Sequence, residues 1–175
     1  MKGGKKMSNI GTEKINSSQK RELIEKTIRK YSDLIFRTAF QNLKNRHDAE
    51  DILQEVSIAL VKSNAPLIDD SYLRSWLVTV TLNKCRDLRR SQKRRDCVPL
   101  EDCLELEAED TRAVMEELWL LPEKYRTVIY LHYYCGFKIY EIAQIIGKNP
   151  NTTASILRRS RNALRKIIEQ GGSYG

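Results

Sequence analysis

Five cations near the C-terminal end of the chain have the charge and spacing to bind phosphate. They are Arg158, Arg159, Arg161, Arg165 and Lys166. No acid interrupts them before Glu169. A helix face that is merely solvated does not need charges of one sign, so this face favours an anionic partner such as nucleic acid. The plainer alternative is a helical hairpin with a solvated, charged face.

A second cationic group lies in the middle of the chain. Seven basic residues there accompany the single acid Asp87: Lys84, Arg86, Arg89, Arg90, Lys93, Arg94 and Arg95. Cations near the C-terminal end of a helix are favourable in any protein, because they complement the helix dipole. Seven within twelve residues exceeds that need, so we predict a second phosphate-binding stripe.

Acidic side chains near residue 50 raise the question of a metal site. Asp51, Gln54 and Glu55 are predicted to share one face of a helix, but no His or third acid stands at ligand spacing. We therefore predict no metal site, which leaves a solvated face or a docking surface for a basic partner. The four cysteines fit neither zinc nor disulfide spacing. No nucleophile arrangement or phosphate loop is present, so we expect no enzymatic activity and no cofactor.

The C-terminal cations lie on the second helix of a predicted helix-turn-helix. The first helix has one apolar face, formed by Ile139, Ile142, Ala143 and Ile146. Gly147 can adopt the left-handed conformation that ends such a helix, Asn149 is a suitable N-cap, and Pro150 fits the first helical position. The second helix has its own stripe: Thr153, Leu157, Ser160, Leu164 and Ile167. This arrangement can place the second helix in a DNA major groove.

Three earlier helices would carry the remaining charged groups. The first is predicted to begin at Ser17 or Ser18 and to end near Asn45, and the second to be capped by Asp48. The third begins at Ser71, after a loop at Pro66. Glycine and proline are few, at 8 and 4 residues, and valine-rich alternating segments are absent. The predicted fold class is all-α.

Charge also predicts how the chain is divided. Residues 96–117 contain nine acids against Arg112 alone. We therefore predict an acidic linker over 96–110 between two small helical domains, 18–95 and 111–170, the second ending in the helix-turn-helix. Residues 1–17 are expected to be a disordered tail, either native or left from cloning.

Overall composition limits the class of partner. Lys and Arg number 31 against 23 for Asp and Glu, which gives a net charge of +8 over 175 residues. This excess favours an anionic partner without choosing between nucleic acid and a membrane surface. No apolar run approaches the roughly 20 residues of a membrane span. We expect a cytoplasmic protein that does not insert into a membrane.

Four motifs, in this order, resemble the extracytoplasmic-function (group four) sigma factors of bacterial RNA polymerase. They are DAEDILQEV at 48–56, SWLVTVTLNKCRDLRR at 75–90, LPEKYRTVIYLHYYCG at 121–136 and EIAQIIGKNPNTTASILRRSRNAL at 141–164. A helix-turn-helix alone is weak evidence, whereas four ordered motifs with matching separations are specific. The resemblance covers about residues 20–168 and includes both predicted domains.

The resemblance implies roles for the matched positions. The helix over 48–56 would dock on the clamp coiled coil of core RNA polymerase through Asp48, Asp51, Gln54 and Glu55. The helix over 76–90 would face the melted −10 promoter element, with these DNA-binding residues: Asn83, Lys84, Asp87, Arg90 and Arg94. Further implied partners are the polymerase flap, promoter DNA and an anti-sigma factor.

The helix from Pro150 would read the −35 element. Its implied DNA-binding residues are Asn151, Thr152, Ser155, Ile156, Arg158, Arg159 and Arg161. Ile156 departs from the family, which has Arg there. An isoleucine at this position either widens the apolar core contact or touches a thymine methyl group in DNA.

Two functions remain open from the sequence. The first is an alternative sigma factor that binds core polymerase, directs it to specific promoters and promotes strand opening at −10. The second is an autonomous helix-turn-helix regulator that binds DNA without polymerase. The cationic helix end in the first half favours the sigma factor, because a dimerisation domain does not need seven bases there.

Overall fold

The computed structural model describes residues 17–63, 69–93 and 117–171. The α-helices with defined bounds in these ranges are α1 (Ser17–Leu43), α2 (Arg46–Lys62), α3 (Asp70–Lys93), α4 (Glu123–Ile129), α5 (Ile139–Ile146) and α6 (Pro150–Gly171), and residues 117–119 are helical as well. A π-helical turn, Tyr130–Tyr134, continues α4. The described residues contain no strand, which confirms the all-α prediction. The predicted acidic linker, residues 1–16 of the predicted tail and Pro66 lie outside the described ranges.

Helices α1 to α3 pack around one apolar cluster. Its members recur at helical spacing, as Ile52, Val56 and Leu60 do on α2, and all three are at most 2% exposed. Leu73 and Leu77 of α3 are buried in the same cluster. Burial of a large aliphatic side chain contributes about 1.5–3 kcal/mol. This packing fixes the outward faces of α2 and α3, which carry the charged residues.

The junction between α1 and α2 corrects one prediction. Lys44 has a φ of 58° and ends α1, and Asn45 then adopts an extended backbone conformation. The Asn45 side chain accepts a hydrogen bond from the Asp48 N–H at 2.8 Å, so Asn45 is the N-cap of α2. The prediction of Asp48 as cap was wrong. Asp48 instead lies in the first turn, where the helix dipole favours an acid.

The helix-turn-helix has the predicted end groups. Gly147 is left-handed with a φ of 65° and ends α5. Asn149 Oδ1 accepts the Thr152 N–H at 2.7 Å, and Pro150 is the first residue of α6. The side chains of Thr153, Leu157 and Ser160 are buried. Both the caps and the apolar face of α6 are thereby confirmed.

The two halves of the chain pack against each other. Val78 and Leu82 of α3 belong to the same apolar cluster as the buried residues of α4, α5 and α6. Arg74 lies over the Phe137 ring, 4.4 Å from its centroid, and donates to the Cys135 carbonyl.

Further contacts join α1 to residues 117–127. The Trp119 ring meets the Phe40 ring edge-on at 5.5 Å between centroids. Lys44 Nζ donates to the Trp119 carbonyl at 2.9 Å, and Thr127 Oγ1 donates to Asn42 Oδ1 at 3.2 Å. The described parts of the chain therefore form one closed body, held by apolar packing together with polar links.

Candidate functional site

The outward face of α6 carries six of the seven residues predicted to contact the −35 element. These six side chains are all exposed: Asn151, Thr152, Ser155, Arg158, Arg159 and Arg161. Within the described part of the chain, the three arginines have no acidic partner within ion-pair distance. Their charge is therefore available to phosphate, while the three smaller polar side chains precede them at the N-terminal end of the helix. Residues at that end of a recognition helix commonly contact base edges.

Ile156 lies apart from that exposed face. Its side chain is 9% exposed and belongs to the apolar cluster that includes Leu157 and Ile145. It also lines a cavity of about 420 Å³ between the two halves, together with Leu82 and Arg86 of α3. Of the two alternatives for Ile156, apolar packing fits this arrangement, and contact with a thymine methyl does not.

The face of α3 predicted to meet the −10 element is mostly open. Asn83, Asp87 and Arg90 are exposed and Lys84 is half-buried. Asn83 Oδ1 accepts a hydrogen bond from Arg86 at 2.8 Å, which orients its amide. Arg94 lies outside the described residues, so its predicted role has no structural counterpart here. The exposed side chains of this face thus provide an amide, a carboxylate and a cation within about two helical turns.

The acidic face of α2 lies beside α3. Asp51, Gln54 and Glu55 are exposed, and Asp48 is half-buried. Asp51 Oδ1 lies 3.8 Å from the ring nitrogen of His47. Because Ile52 and Val56 are buried on the opposite side, the predicted docking face is a separate surface and not part of the core.

Two apolar residues extend this acidic face and were missed from the sequence. Ile58 is 52% and Val61 is 54% exposed. Ile58 follows Gln54 by four residues and Val61 follows Ile58 by three, so they continue the same side of α2. The helical spacing of Ile58 and Val61 from Gln54 is the feature of the sequence that could have predicted their place on this face. Exposed aliphatic groups beside carboxylates are typical of the centre and rim of a protein interface.

An apolar groove of about 480 Å³ on the second half was also not predicted. We call it the α6 groove; its lining residues are Leu118, Ile129, Tyr133, Tyr134, Arg161, Leu164, Arg165 and Ile168. The π-helical turn shifts the backbone register by one residue and brings Tyr133 and Tyr134 to this surface, where both are exposed. Two arginines border an otherwise apolar floor, so the groove suits an apolar helix that carries acids.

Two thiols and one guanidinium are buried in the described chain. Burial raises the pKa of the Cys85 thiol to about 12 and that of the Cys135 thiol to about 11. Burial also lowers the pKa of Arg126, whose guanidinium donates to the Leu121 carbonyl at 3.2 Å. Neutral thiols at physiological pH are poor nucleophiles. Among the described residues no group of three or more metal-ligating side chains occurs.

No helix in the described ranges is both long and apolar enough to cross a bilayer.

Comparison with known families assigns both halves. Residues 27–95 match the family model of sigma-70 region 2, and residues 111–164 match that of sigma-70 region 4. The chain is 31% identical over 135 residues to RNA polymerase sigma factor SigV of Bacillus subtilis (strain 168), which covers 74% of this chain and 81% of SigV. It is 28% identical over 159 residues to the ECF RNA polymerase sigma factor SigW of the same organism, covering 79% and 84%.

Two solved structures share the fold. The sigma factor RpoE, in its co-crystal with the anti-sigma factor NepR from Bartonella quintana, matches with a TM-score of 0.72 at 23% identity, over 88% of this chain and 98% of that one. CnrH, solved in complex with the cytosolic domain of CnrY, matches with a TM-score of 0.61 at 21% identity, over 89% and 90%. In both matches the similarity extends through the two halves.

Proposed function

This chain belongs to the extracytoplasmic-function family of RNA polymerase sigma factors, and we propose that three of its surfaces divide the work of promoter recognition. The family consists of transcription initiation factors, and the chain is an alternative sigma factor that directs core RNA polymerase to promoters. In our proposal α2 binds polymerase, α3 contacts the −10 element and α6 reads the −35 element. Acting on the transcription machinery would place the protein in the cytoplasm.

The observation that best supports this proposal is that the charged residues on the predicted DNA-binding face of α6 are all cations. Arg158, Arg159 and Arg161 have no acidic partner among the described residues, while Asn151 and Ser155 stand exposed nearer the N-terminal end. Cations would position the helix on the phosphates, and the polar residues would meet base edges. Each lost phosphate contact should reduce the salt dependence of binding by about one unit of slope.

The face of α3 that we assign to the −10 element must bind an opened DNA strand. An extruded base needs hydrogen-bonding groups, and the displaced strand needs cations along its backbone. Asn83 and Asp87 would serve the first requirement, and Lys84 and Arg90 the second. We propose the domain boundaries given above, 18–95 and 111–170, with residues 96–110 connecting the two DNA-binding domains.

Polymerase would be bound at two places. We propose that Asp48, Asp51, Gln54 and Glu55 meet the clamp coiled coil, with Ile58 and Val61 as the apolar centre of that contact. The α6 groove is our candidate for the flap, because its apolar floor and arginine border suit an amphipathic segment. Desolvated apolar anchors commonly supply most of the free energy of such an interface.

An anti-sigma factor is a further proposed partner. RpoE and CnrH were each solved in complex with a second protein, which in the case of RpoE is an anti-sigma factor. The α6 groove and the apolar end of the α2 face are the exposed surfaces on which such a regulator could compete with polymerase. No membrane segment of the chain itself is required for this regulation.

One experiment separates this function from that of an autonomous regulator. Promoter fragments recovered by the reconstituted holoenzyme should be bound specifically only when core polymerase is present, and permanganate should detect unpaired thymines near −10. The variant Arg158→Ala should weaken binding to all promoters alike, whereas Asn151→Ala should change the preference at single −35 positions. Specific, equally tight binding of a palindromic duplex by the chain alone would overturn the proposal.

A further inference from the structure

The acidic face of α2 is directly bonded to the cationic helix α3. Lys84 Nζ lies 2.6 Å from Glu55 Oε2, and Gln92 Nε2 donates to Asp48 Oδ2 at 2.9 Å. The two links are about two helical turns apart on each helix, so they join the antiparallel helices along one edge. Two of the four residues proposed to bind polymerase are thus already bonded to the helix proposed to bind DNA.

We propose that the Glu55–Lys84 ion pair is a latch, which withholds Lys84 from DNA until polymerase occupies Glu55. This inference rests on the proposed function, because it takes Glu55 as a polymerase contact and Lys84 as a −10 contact. In the free chain the ammonium group bonds to a carboxylate of α2. A DNA phosphate would have to displace that carboxylate to reach the same ammonium group.

Lys84 differs from Arg86 and Arg89, two neighbouring cations of α3. Arg86 donates to Asn83 on the same helix, and Arg89 is paired with Glu123 and the Asn42 carbonyl, away from the α2 acids. Lys84 is bound to a residue of the docking face itself, and its side chain is 29% exposed against 56% for Glu55. The more accessible member of the pair is therefore the one that a polymerase cation would reach first.

The coupling follows from thermodynamic linkage. If a polymerase cation binds Glu55 in place of Lys84, it favours the state in which Lys84 is unpaired, and DNA favours the same state. An ion pair this exposed contributes little, so the latch should change affinity for single-stranded DNA by about two- to fivefold. It would add to the selectivity for DNA in the presence of polymerase without accounting for all of it.

The test measures DNA binding by the full chain without polymerase. The probe is a fluorescein-labelled oligothymidylate of about 16 nucleotides, long enough for one single-strand site, followed by anisotropy at low salt. Glu55→Gln should bind this probe about two- to fivefold more tightly than the unaltered chain. The matched control is Glu50→Gln, which also removes one α2 carboxylate but whose ion-pair partner, Arg46, lies on α2. It should change affinity by much less.

A second variant identifies the group released. In a Lys84→Gln background, Glu55→Gln should bring no gain beyond that of Glu50→Gln. Equal gains from Glu55→Gln and Glu50→Gln, or a gain that persists without Lys84, would overturn the latch. A merely structural ion pair would lower the unfolding midpoint of Glu55→Gln and leave DNA affinity at the level of the control, which also overturns it.

The holoenzyme separates this inference from the proposed function. With saturating core polymerase, Glu55→Gln should no longer improve binding of a −10 strand, because Lys84 is then unpaired in both proteins: polymerase holds Glu55 in the unaltered chain, and the variant has no carboxylate at position 55. Lys84→Gln should still weaken that binding. If Lys84→Gln has no effect in the holoenzyme, the assignment of Lys84 to DNA fails, and the latch with it. If it weakens binding but Glu55→Gln never strengthens it in the free chain, only the latch fails.

Discussion

At the residue scale, Ile156 shows how a departure from a family motif is explained by packing. The position would hold an arginine in the family, yet here the side chain is buried among apolar neighbours of α5 and α6. An aliphatic group that is only 9% exposed has little surface left for a base contact. We therefore propose that Ile156 contributes to stability, and that promoter preference depends on Asn151, Thr152 and Ser155 instead.

Ile156→Ala should lower the free energy of unfolding by about 2 kcal/mol or more, because it removes buried methyl groups and leaves a cavity. Ser155→Ala is the matched control on the exposed side of the same turn and should stay within about 0.5 kcal/mol. Urea denaturation followed by circular dichroism measures both. Unchanged stability of Ile156→Ala, together with an altered base preference at −35, would show that Ile156 contacts DNA.

The two buried thiols give a pH dependence. Burial raises the pKa values of Cys85 and Cys135 to about 12 and about 11, above the ordinary value near 8.5. The unfolded chain therefore loses these protons at lower pH than the folded one does. Their contribution to stability is complete below about pH 8.5 and falls as the pH rises towards 11, by at most about 1.4 kcal/mol per pH unit per thiol.

Urea midpoints measured from pH 8 to 10.5 should consequently decrease, and the decrease should be smaller in the Cys85→Ala/Cys135→Ala variant. Comparison of the two slopes removes the contribution of every other ionisable group, because the two proteins share all of them. Identical slopes would mean that the thiols ionise as readily in the folded state as in the unfolded one.

At the element scale, a helix end could be predicted from the sequence wherever that end is determined by its own residues. Gly147, Asn149 and Pro150 were identifiable because left-handed backbone, side-chain capping and a missing N–H are properties of single residues. The sequence did not show whether Asn45 or Asp48 is the N-cap of α2, since both are good capping residues and they lie three positions apart. The structure decides between them through Lys44, whose positive φ ends α1 early.

Features that depend on distant contacts were not predictable. The π-helical turn at Tyr130–Tyr134 has no local signature in the sequence, and it determines which tyrosines reach the α6 groove. The ion pair between Glu55 and Lys84 joins two helices whose relative register is fixed by core packing. The charges of the candidate site could thus be identified from the sequence, whereas their pairing could not.

The capping prediction can be tested with two asparagines on one helix. Asn149→Ala should lower the free energy of unfolding by about 1 kcal/mol, because the Thr152 N–H loses its acceptor. Asn151→Ala, two residues further along on the exposed face, should leave stability unchanged and alter −35 recognition by the holoenzyme. Thermal denaturation and promoter competition assays measure the two effects. Equal destabilisation by both substitutions would contradict the separation of cap from DNA contact.

At the scale of the whole molecule, the closed packing of the two halves conflicts with simultaneous promoter contact. The −10 and −35 elements are centred about 25 base pairs apart, or about 85 Å along B-DNA at 3.4 Å per base pair. A compact chain of this length has a radius of gyration of about 16 Å and a diameter of roughly 40 Å. If α3 and α6 contact these elements as we propose, one closed body cannot reach both, so we expect α3 and α6 to move apart in the holoenzyme.

This requirement gives the final prediction. Fluorophores placed on α1 and on the exposed end of α6 should show efficient energy transfer in the free chain and a marked loss of transfer when core polymerase is added. Arg74→Ala removes the contacts with Phe137 and the Cys135 carbonyl, so it should lower transfer in the free chain and leave the holoenzyme value unchanged. Lys26→Ala, which loses an exposed pair with Glu22 on the same helix, is the control and should resemble the unaltered chain. High transfer that persists in the holoenzyme would mean that the interface between α3 and α5 survives docking, and the two DNA-binding surfaces would then have to serve different DNA molecules or different steps of initiation.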